Sequence, residues 1–198
     1  MLLDSLYFIL GSIFGSFLNV VIYRLPRNLS IIYPRSFCPE CSKMIPFYRN
    51  IPIISYILQM GKCNYCSGKI SIRYLIVEII SAVALLLSMK LLPNPEAGLF
   101  YWMFVHLLVL SIIDQKWMKI PISILISMAL GLMGFHLIWT ADLMVPTSGF
   151  IVGSGFIAFV VGLNWLIFHK QTMGYGDLII VAILGGWLGT IQIFLTIF

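Results

Sequence analysis

Long apolar runs alternate with short polar breaks along most of this chain. A helix that crosses a bilayer needs about 20 apolar residues, and six runs meet or approach that length. They are residues 5–23, 74–92, 97–113, 120–139, 145–168 and 178–198. The pattern therefore predicts an all-α fold, a polytopic membrane helical bundle of about six transmembrane helices.

One hydrophilic segment, residues 24–73, interrupts this pattern with eight of the twelve basic residues and a single acid, Glu40. Because basic loops tend to stay cytoplasmic, we expect this segment inside and the N-terminus outside. The predicted organisation is a first transmembrane helix at 1–23, a loop domain at 24–73 and a five-helix region at 74–198. The apolar stretch 51–60 is too short to span and predicts an interfacial or re-entrant piece.

The composition supports a membrane protein. The chain is 61% hydrophobic and 10% charged, whereas a soluble domain has about 25% charged residues. Its net charge of +5 lies mostly in the loop between apolar runs, which favours anionic lipid headgroups over nucleic acid as a partner. The first run follows Asp4 rather than basic residues, so we expect a retained helix and no cleaved signal peptide.

The acids and asparagines at or within the predicted spans gather at one membrane face under this topology. Asp114 ends the third run, Asp177 begins the sixth, and Glu78 lies near the start of the second. Asn19 and Asn164 lie toward the same face, near the ends of the first and fifth runs. We therefore expect these polar residues to share a cavity at the cytoplasmic side.

Asp114 and Asp177 are candidates for a catalytic aspartyl pair. Two carboxylates that face one water cannot both ionise easily, so the pair holds a single proton. The ionised member can take a proton from water while the protonated member polarises a peptide carbonyl. Gly174 and Gly176 are expected to give the backbone conformations closed to other residues and to let an extended peptide approach.

Structural roles for these acids stay open at this point. Asp177 precedes an apolar helix, where a capping residue would lie, and Asp114 could meet lysines at the interface. An anion that follows a helix is disfavoured by the helix dipole, which argues against a capping role for Asp114. Glu78, at the start of a helix and close to Arg73 in the sequence, is read as a structural carboxylate more readily than as a substrate-binding one.

Other unusual positions are read as packing residues. Two GxxxG pairs favour close helix packing, although such a pair can also be incidental. They are Gly11 with Gly15 and Gly149 with Gly153. Three further polar residues inside the runs predict hydrogen-bonded packing rather than ligand binding. They are His106, His136 and Gln192.

All four cysteines lie in the hydrophilic loop as two CxxC pairs. They are Cys38, Cys41, Cys63 and Cys66. This spacing matches a tetrahedral zinc site with four thiolate ligands, and a closed site of that kind is structural. The alternatives are disulfides, which would require the loop to face an oxidising compartment, or a redox role.

Several motifs lie in one order along the chain. GSFLNVVIYRLP begins at residue 15, PRSFCPEC at 34, NIPIISY at 50 and GKC at 61, and Arg73-Tyr74 precedes Glu78. Ile113-Asp114 is followed by Ile120-Pro121, and later by the tetrapeptide GYGD at 174–177. Together these motifs, from about residue 11 to 189, resemble the type IV prepilin peptidases. The stretch SIIYPR at 30–35 also resembles the competence-pilus branch of Gram-positive bacteria.

The resemblance implies an inner-membrane aspartic endopeptidase that removes a short basic leader from prepilins or pseudopilins at the cytoplasmic face. It implies Asp114 and Asp177 as the catalytic pair, and the cysteines as a metal loop linked to members that also methylate the new N-terminus with S-adenosylmethionine. Two positions depart from the family's pattern. Ile122 stands where the family usually has a polar residue, and Ile179 stands where it often has lysine. The family's further C-terminal helices have no counterpart, which predicts that the chain as given lacks them.

Two other classes of protein explain part of the pattern. A small proton-coupled transporter would use intramembrane acids as a proton relay, but it does not explain the paired CxxC motifs. A nonenzymatic assembly factor would use the cysteine loop to dock a partner and the aspartates as structural groups.

Overall fold

A computed structural model of the chain describes residues 2–169 and 174–189. The regular structure of these residues is helical, with two isolated antiparallel β-bridges in the loop. The α-helices are α1 Leu2–Arg24, α2 Ile54–Leu58, α3 Arg73–Leu91, α4 Glu96–Trp117, α5 Ile122–Phe135, α6 Met144–Phe168 and α7 Tyr175–Leu188. Short 3-10 turns form at Leu25–Arg27 and Phe47–Arg49, and a π turn at His136–Thr140.

Five helical segments in the described part of the chain are long and apolar enough to cross a membrane. They are Leu2–Arg27, Arg73–Leu91, Glu96–Trp117, Ile122–Thr140 and Met144–Ile167. The helical, multi-pass fold predicted from the apolar runs is therefore confirmed. The predicted sixth run, 178–198, extends beyond the described residues, and α7 includes its first part.

The third membrane-length helix, α4, ends later than its apolar run predicts. α4 continues past residue 113 to Trp117, so Asp114 lies in its last turn instead of after it. Met118 then takes a left-handed conformation with φ of 48°, and its N–H donates to the Asp114 carbonyl at 2.8 Å. Hydrogen bonding of the last turn, rather than hydrophobicity, sets this boundary.

The chain divides into two compact units, Met1–Lys119 and Ile120–Phe198. In the first unit, α1 and α3 pack antiparallel through a closely fitted seam. A Cβ at Gly11 would lie 2.7 Å from the Ala82 Cα, and one at Gly15 would lie 2.7 Å from the Glu78 Cα. The Ser81 hydroxyl also donates to the Gly11 carbonyl at 2.8 Å. The first GxxxG pair is thus a packing motif.

We expect substitution of either seam glycine to separate the two helices. Gly11→Ala or Gly15→Ala places a methyl group against the backbone of α3, and overpacking of this kind costs about 1–3 kcal/mol in free energy of unfolding. Gly98→Ala is the matched control, because a Cβ there meets nothing within 4 Å. Chemical denaturation in detergent would measure both, and equal stability of seam and control variants would contradict the packing role.

In the second unit, α6 and α7 meet through a similar glycine seam. A Cβ at Gly153 would lie 2.9 Å from the Val181 carbonyl oxygen, and one at Gly185 would lie 3.1 Å from the Gly149 carbonyl carbon. Gly186 faces Leu132 of α5, where an added Cβ would come within 3.1 Å of the Leu132 side chain. The second GxxxG pair therefore packs against glycines that the sequence pattern did not single out.

The two described histidines inside the apolar runs are hydrogen-bonded, as predicted. The Nδ1–H of His106 donates to the Trp102 carbonyl at 2.7 Å, one turn earlier in α4. His136 is buried and shares a 3.2 Å hydrogen bond with the Thr140 hydroxyl. Gln192 lies outside the described residues.

Candidate active site and metal centre

The four cysteines converge at one point of the loop. Their Sγ atoms all lie within 4.8 Å of one another, and those of Cys38 and Cys66 are 3.8 Å apart. Four sulfurs around one zinc at 2.3 Å would be separated by about 3.8 Å. The donor set and its spacing therefore fit a single tetrahedral zinc ion.

Two turns of the same shape present these cysteines. The Cys38 N–H donates to the Lys43 carbonyl, and the Cys38 carbonyl accepts from the Ser42 N–H. Cys63 repeats this pattern with the Gly68 carbonyl and the Ser67 N–H. The serine that follows each CxxC has a positive φ, 56° at Ser42 and 58° at Ser67. An antiparallel β-bridge closes each turn, between Phe37 and Met44 and between Lys62 and Lys69. This structural repeat was not predicted from the sequence, although both segments share the pattern C-x-x-C-S.

Backbone N–H groups favour the thiolate form of one cysteine. The N–H groups of Tyr65 and Cys66 lower the pKa of the Cys63 thiol to about 6. Burial raises the pKa of Cys38. The Gly68 N–H lowers the pKa of Cys66, but burial and the neighbouring sulfurs together outweigh it and raise that pKa to about 12. Further thiolates in so small a space require a compensating cation, which a metal ion would supply.

Arg24 holds the loop against the end of α1. Its side chain is only 4% exposed, and its guanidinium donates to the carbonyls of Ser30 at 2.9 Å and Arg35 at 3.2 Å. It also lies over the Phe37 ring at 5.6 Å. The burial of Arg24 was not predicted, because nothing in the local sequence pattern distinguishes a buried arginine from an exposed one.

Glu78 anchors the short helix α2 to α3. Its Oε2 accepts a 2.7 Å hydrogen bond from the N–H of Ile53, the residue just before α2. Ile53 has φ of 63° and ψ of −56°, a strained conformation for a β-branched residue that costs about 1–3 kcal/mol. Glu78 is itself buried, at 7% exposure. A structural role for Glu78 is therefore supported by a definite hydrogen-bond partner, the Ile53 N–H.

We expect the acceptor at position 78 to matter more than its charge. Glu78→Leu leaves the Ile53 N–H without an acceptor and should lower the free energy of unfolding by about 1–3 kcal/mol. Glu78→Gln keeps a carbonyl oxygen there and should lose much less. Denaturant titration of both variants in detergent tests this, and an equal loss in the two would contradict it.

Asn19 and Glu78 line one cavity of about 360 Å³ in the first unit. The Asn19 amide nitrogen donates to the Tyr74 carbonyl at 3.0 Å and to the Gly15 carbonyl at 3.3 Å. Among the described residues its Oδ1 has no hydrogen-bond partner. The polar cavity expected from the sequence thus exists for these two residues.

The two candidate catalytic aspartates are held at helix ends. Asp114 is an exposed residue in the last turn of α4, within the first unit. Asp177 is half-buried in the first turn of α7, within the second unit, and its Oδ2 accepts from the Gly174 N–H at 3.3 Å. Asp177 is therefore the third helical residue of α7 and not its N-cap. The pairing of the two carboxylates stays a prediction.

The conformational reason predicted for the glycines before Asp177 is wrong. Gly174 has φ of −78°, which any residue adopts, and Gly176 is an ordinary helical residue of α7. What restricts Gly176 is contact: a Cβ there would lie 2.8 Å from the Ile120 Cδ1 and 3.0 Å from its Cβ. Close packing, rather than a special backbone angle, explains that glycine.

Fold and site together define a multi-pass helical membrane protein whose loop carries a four-cysteine cluster suited to a metal ion. Comparison with known proteins gives its family. Residues 9–91 match the bacterial peptidase A24 N-terminal domain, and residues 101–198 match the type IV leader peptidase family. No solved structure matched the chain.

Curated relatives agree over most of the length. The type 4 prepilin-like proteins leader peptide-processing enzyme of Escherichia coli is 31% identical, over 92% of this chain and 76% of its own. Prepilin leader peptidase/N-methyltransferases of Aeromonas salmonicida and Klebsiella pneumoniae are each 32% identical over 93% of this chain, and over 73% and 85% of theirs. The chain belongs to the type IV prepilin leader peptidase family. It is a membrane peptidase of that family, and the comparisons favour neither the transporter nor the assembly factor.

Proposed function

We propose that this chain cuts the leader from prepilins or pseudopilins at the cytoplasmic face of the bacterial inner membrane. The observation that carries the proposal is its match, over both halves, to enzymes named for that reaction. The basic loop supports a cytoplasmic position for residues 24–73 and an outside position for the N-terminus. Assignment to the competence branch rests on the resemblance at 30–35 alone.

Asp114 and Asp177 are the proposed catalytic pair. One carboxylate takes a proton from a water molecule as its oxygen attacks the scissile carbonyl carbon, while the other, protonated, hydrogen-bonds the carbonyl oxygen. Transfer of a proton to the amide nitrogen then breaks the C–N bond without a covalent enzyme intermediate. Gly176 supports this arrangement because its missing side chain lets α7 approach Ile120, and Gly174 supports it through its N–H on Asp177.

Zinc is the proposed metal of the cysteine cluster, with a structural role. Cys38, Cys41, Cys63 and Cys66 would fill all four positions of a tetrahedral ion. The loop has few buried apolar side chains of its own, so a metal would supply much of its folding free energy.

A second activity, methylation of the new N-terminal amine, is favoured by the names of several relatives, which are called prepilin leader peptidase/N-methyltransferase. S-adenosylmethionine is the proposed methyl donor. When bound, it would supply an activated methyl group on a sulfonium.

Co-expression with a prepilin tests the main proposal. We expect the wild-type chain to shorten the prepilin by its leader, seen as increased gel mobility and as a mature N-terminus by mass spectrometry. A prepilin whose glycine before the cut is replaced is the matched control and should stay uncut. Persistence of the leader with the wild-type chain would contradict the proposal. A mature N-terminus heavier by about 14 Da, the mass of one added methylene, would report the second activity.

A further inference from the structure

The short helix α2 turns its polar side chains toward the rest of the loop. The buried Ser55 hydroxyl donates to the Tyr48 carbonyl at 3.5 Å. Gln59, at the end of the helix, donates from its side-chain amide to the Arg49 carbonyl at 3.2 Å. These bonds join α2 to the 3-10 turn at Phe47–Arg49 and fix which side of the helix faces inward.

The opposite side of α2 is apolar and exposed. Residues at i, i+3 and i+4 share one face of a helix, and at those positions α2 carries three exposed aliphatic side chains. They form the α2 face, which is Ile54, Ile57 and Leu58. Met60, just after the helix, is 85% exposed. Because helices of water-soluble proteins bury their apolar stripe and expose their polar one, this inverted arrangement requires an apolar environment beside α2.

The bond between Glu78 and Ile53 fixes where α2 lies along the first unit. Glu78 is five residues into α3, about 7.5 Å along the axis of a helix long enough to cross a membrane. Helical side chains lean toward the N-terminal end of their helix, so the Ile53 N–H that Glu78 accepts from lies beside the first turns of α3. The start of α2 is therefore level with the point where the span begins.

The length of α2 fits a helix that lies along this boundary. Its five residues extend about 7.5 Å, whereas the hydrocarbon core of a bilayer is about 30 Å thick. A segment this short does not enter the core and return. Of the two possibilities that the sequence left open for residues 51–60, the interfacial one fits the structure and the re-entrant one does not.

Two lysines beside the end of α2 supply positive charge. Lys62 and Lys69 face each other in an antiparallel β-bridge, and the Lys62 N–H donates to the Gln59 carbonyl at 3.0 Å. Side chains at such a position point to the same side, where like charges repel. Both lysines are exposed, and neither is ion-paired with a residue that the structure describes. Phosphates of phospholipid headgroups would balance this pair.

We propose that α2 lies in the interface of its own membrane, with the α2 face among the acyl chains and the Lys62–Lys69 pair at the headgroup phosphates. An interfacial helix buries its apolar face about 5–10 Å into the boundary between headgroups and acyl chains. The loop that carries the cysteine cluster is then held to the membrane by α2 as well as by the helices at its two ends. This placement is independent of leader cleavage.

Fluorescence quenching in nanodiscs tests this location. An environment-sensitive fluorescent amino acid would replace Leu58 in the full chain, with one chain in each phospholipid disc. Brominated acyl chains quench a fluorophore in the bilayer, and acrylamide quenches one in water. The same replacement at Ile13, exposed in the middle of α1, gives the lipid limit, and the free fluorophore gives the aqueous limit. We expect position 58 to be quenched by lipid and protected from acrylamide, closer to the Ile13 values than to the aqueous ones.

Variants test the α2 face. With the fluorescent residue at Met60, Ile57→Asn combined with Leu58→Asn should lower lipid quenching at least twofold, because apolar area no longer favours insertion. Met44→Asn is the matched control. Met44 is also an exposed apolar residue of the loop, but it lies on the first CxxC turn, so quenching should stay as in the parent chain.

Lipid composition tests the lysine pair. Anionic lipid added to a zwitterionic disc should increase lipid quenching at Met60, and Lys62→Gln combined with Lys69→Gln should abolish that increase. An increase of the same size in this double variant, or none in the parent chain, would refute the role of the lysines.

The measurement at position 58, on a chain that is otherwise wild type, decides the placement of α2. Quenching by acrylamide at the aqueous limit would overturn the proposal. Protection from both quenchers would also overturn it, because protein rather than lipid would then cover the α2 face. Equal lipid quenching in the asparagine double variant and its parent would refute the role of Ile57 and Leu58.

Discussion

Asp177→Asn is expected to reduce the rate of leader cleavage by about 10²–10⁴-fold, and Asp114→Asn to do the same. General acid–base groups contribute rate factors of that size, and an amide can neither accept the proton of the attacking water nor supply one to the carbonyl. Because one pair performs one step, the double variant should be scarcely slower than either single variant. Single-turnover cleavage of a purified prepilin in detergent would measure all three rates.

The matched control for these variants is Asp142→Asn. Asp142 is exposed, and its Oδ1 accepts a 2.8 Å hydrogen bond from the Met144 N–H at the start of α6. Asparagine can make the same bond, so this variant should cleave as the wild type does. Thermal unfolding of every variant would show whether a lost rate reflects lost folding. Cleavage at the wild-type rate by either Asp114→Asn or Asp177→Asn would refute the role of that residue.

Removal of the metal is expected to have the largest effect on the structure of the loop. The purified chain should carry about one zinc, because four thiolates fill one tetrahedral site. Cys63→Ser or Cys66→Ser should bring the zinc content close to zero and make the loop between α1 and α3 sensitive to protease. Structural zinc contributes about 10–16 kcal/mol of apparent binding free energy in small domains, far more than the few buried apolar groups of the loop.

Metal analysis and limited proteolysis would check this result, with a strong chelator as a second route to the metal-free state. Lys62→Gln, next to Cys63 but with an exposed side chain, should keep both its zinc and its resistance to protease. Metal-free wild-type protein whose four thiols all react with an alkylating agent under native conditions would sink the zinc proposal.

Local patterns in the sequence predicted the parts of this protein that depend on neighbouring residues. An apolar run of about 20 residues is nearly sufficient for a membrane helix, and five of the predicted runs are membrane-length helices in the described residues. Likewise, a CxxC pair needs only its own turn to bring two sulfurs together. The approach of Cys38 to Cys41, and of Cys63 to Cys66, was therefore predictable. Hydrophobicity alone did not predict the end of α4. The predicted run ends at residue 113, four residues before Trp117, where the helix ends.

The hydrophobic and motif patterns of the sequence did not predict hydrogen bonds between residues far apart in the chain. The partner of Glu78 is the N–H of Ile53, 25 residues earlier, and the partner of Asn19 is the carbonyl of Tyr74, 55 residues later. Each is a backbone group, which any residue type would supply equally well. The sequence therefore offered no signal for either pairing, and it showed only that Glu78 lies close to Arg73 along the chain.

By itself, then, the amino-acid sequence determined the class of protein, the approximate helices, the cysteine ligand set and the two candidate aspartates, because hydrophobicity and ligand spacing act over short stretches of chain. Only the tertiary structure decided how these parts are supported. It fits Gly176 against Ile120 before Asp177, and among the described residues it leaves the Asn19 Oδ1 without a hydrogen-bond partner. The physical reason is that packing and hydrogen bonding join residues far apart in the chain, and a one-dimensional pattern carries no record of which ones meet.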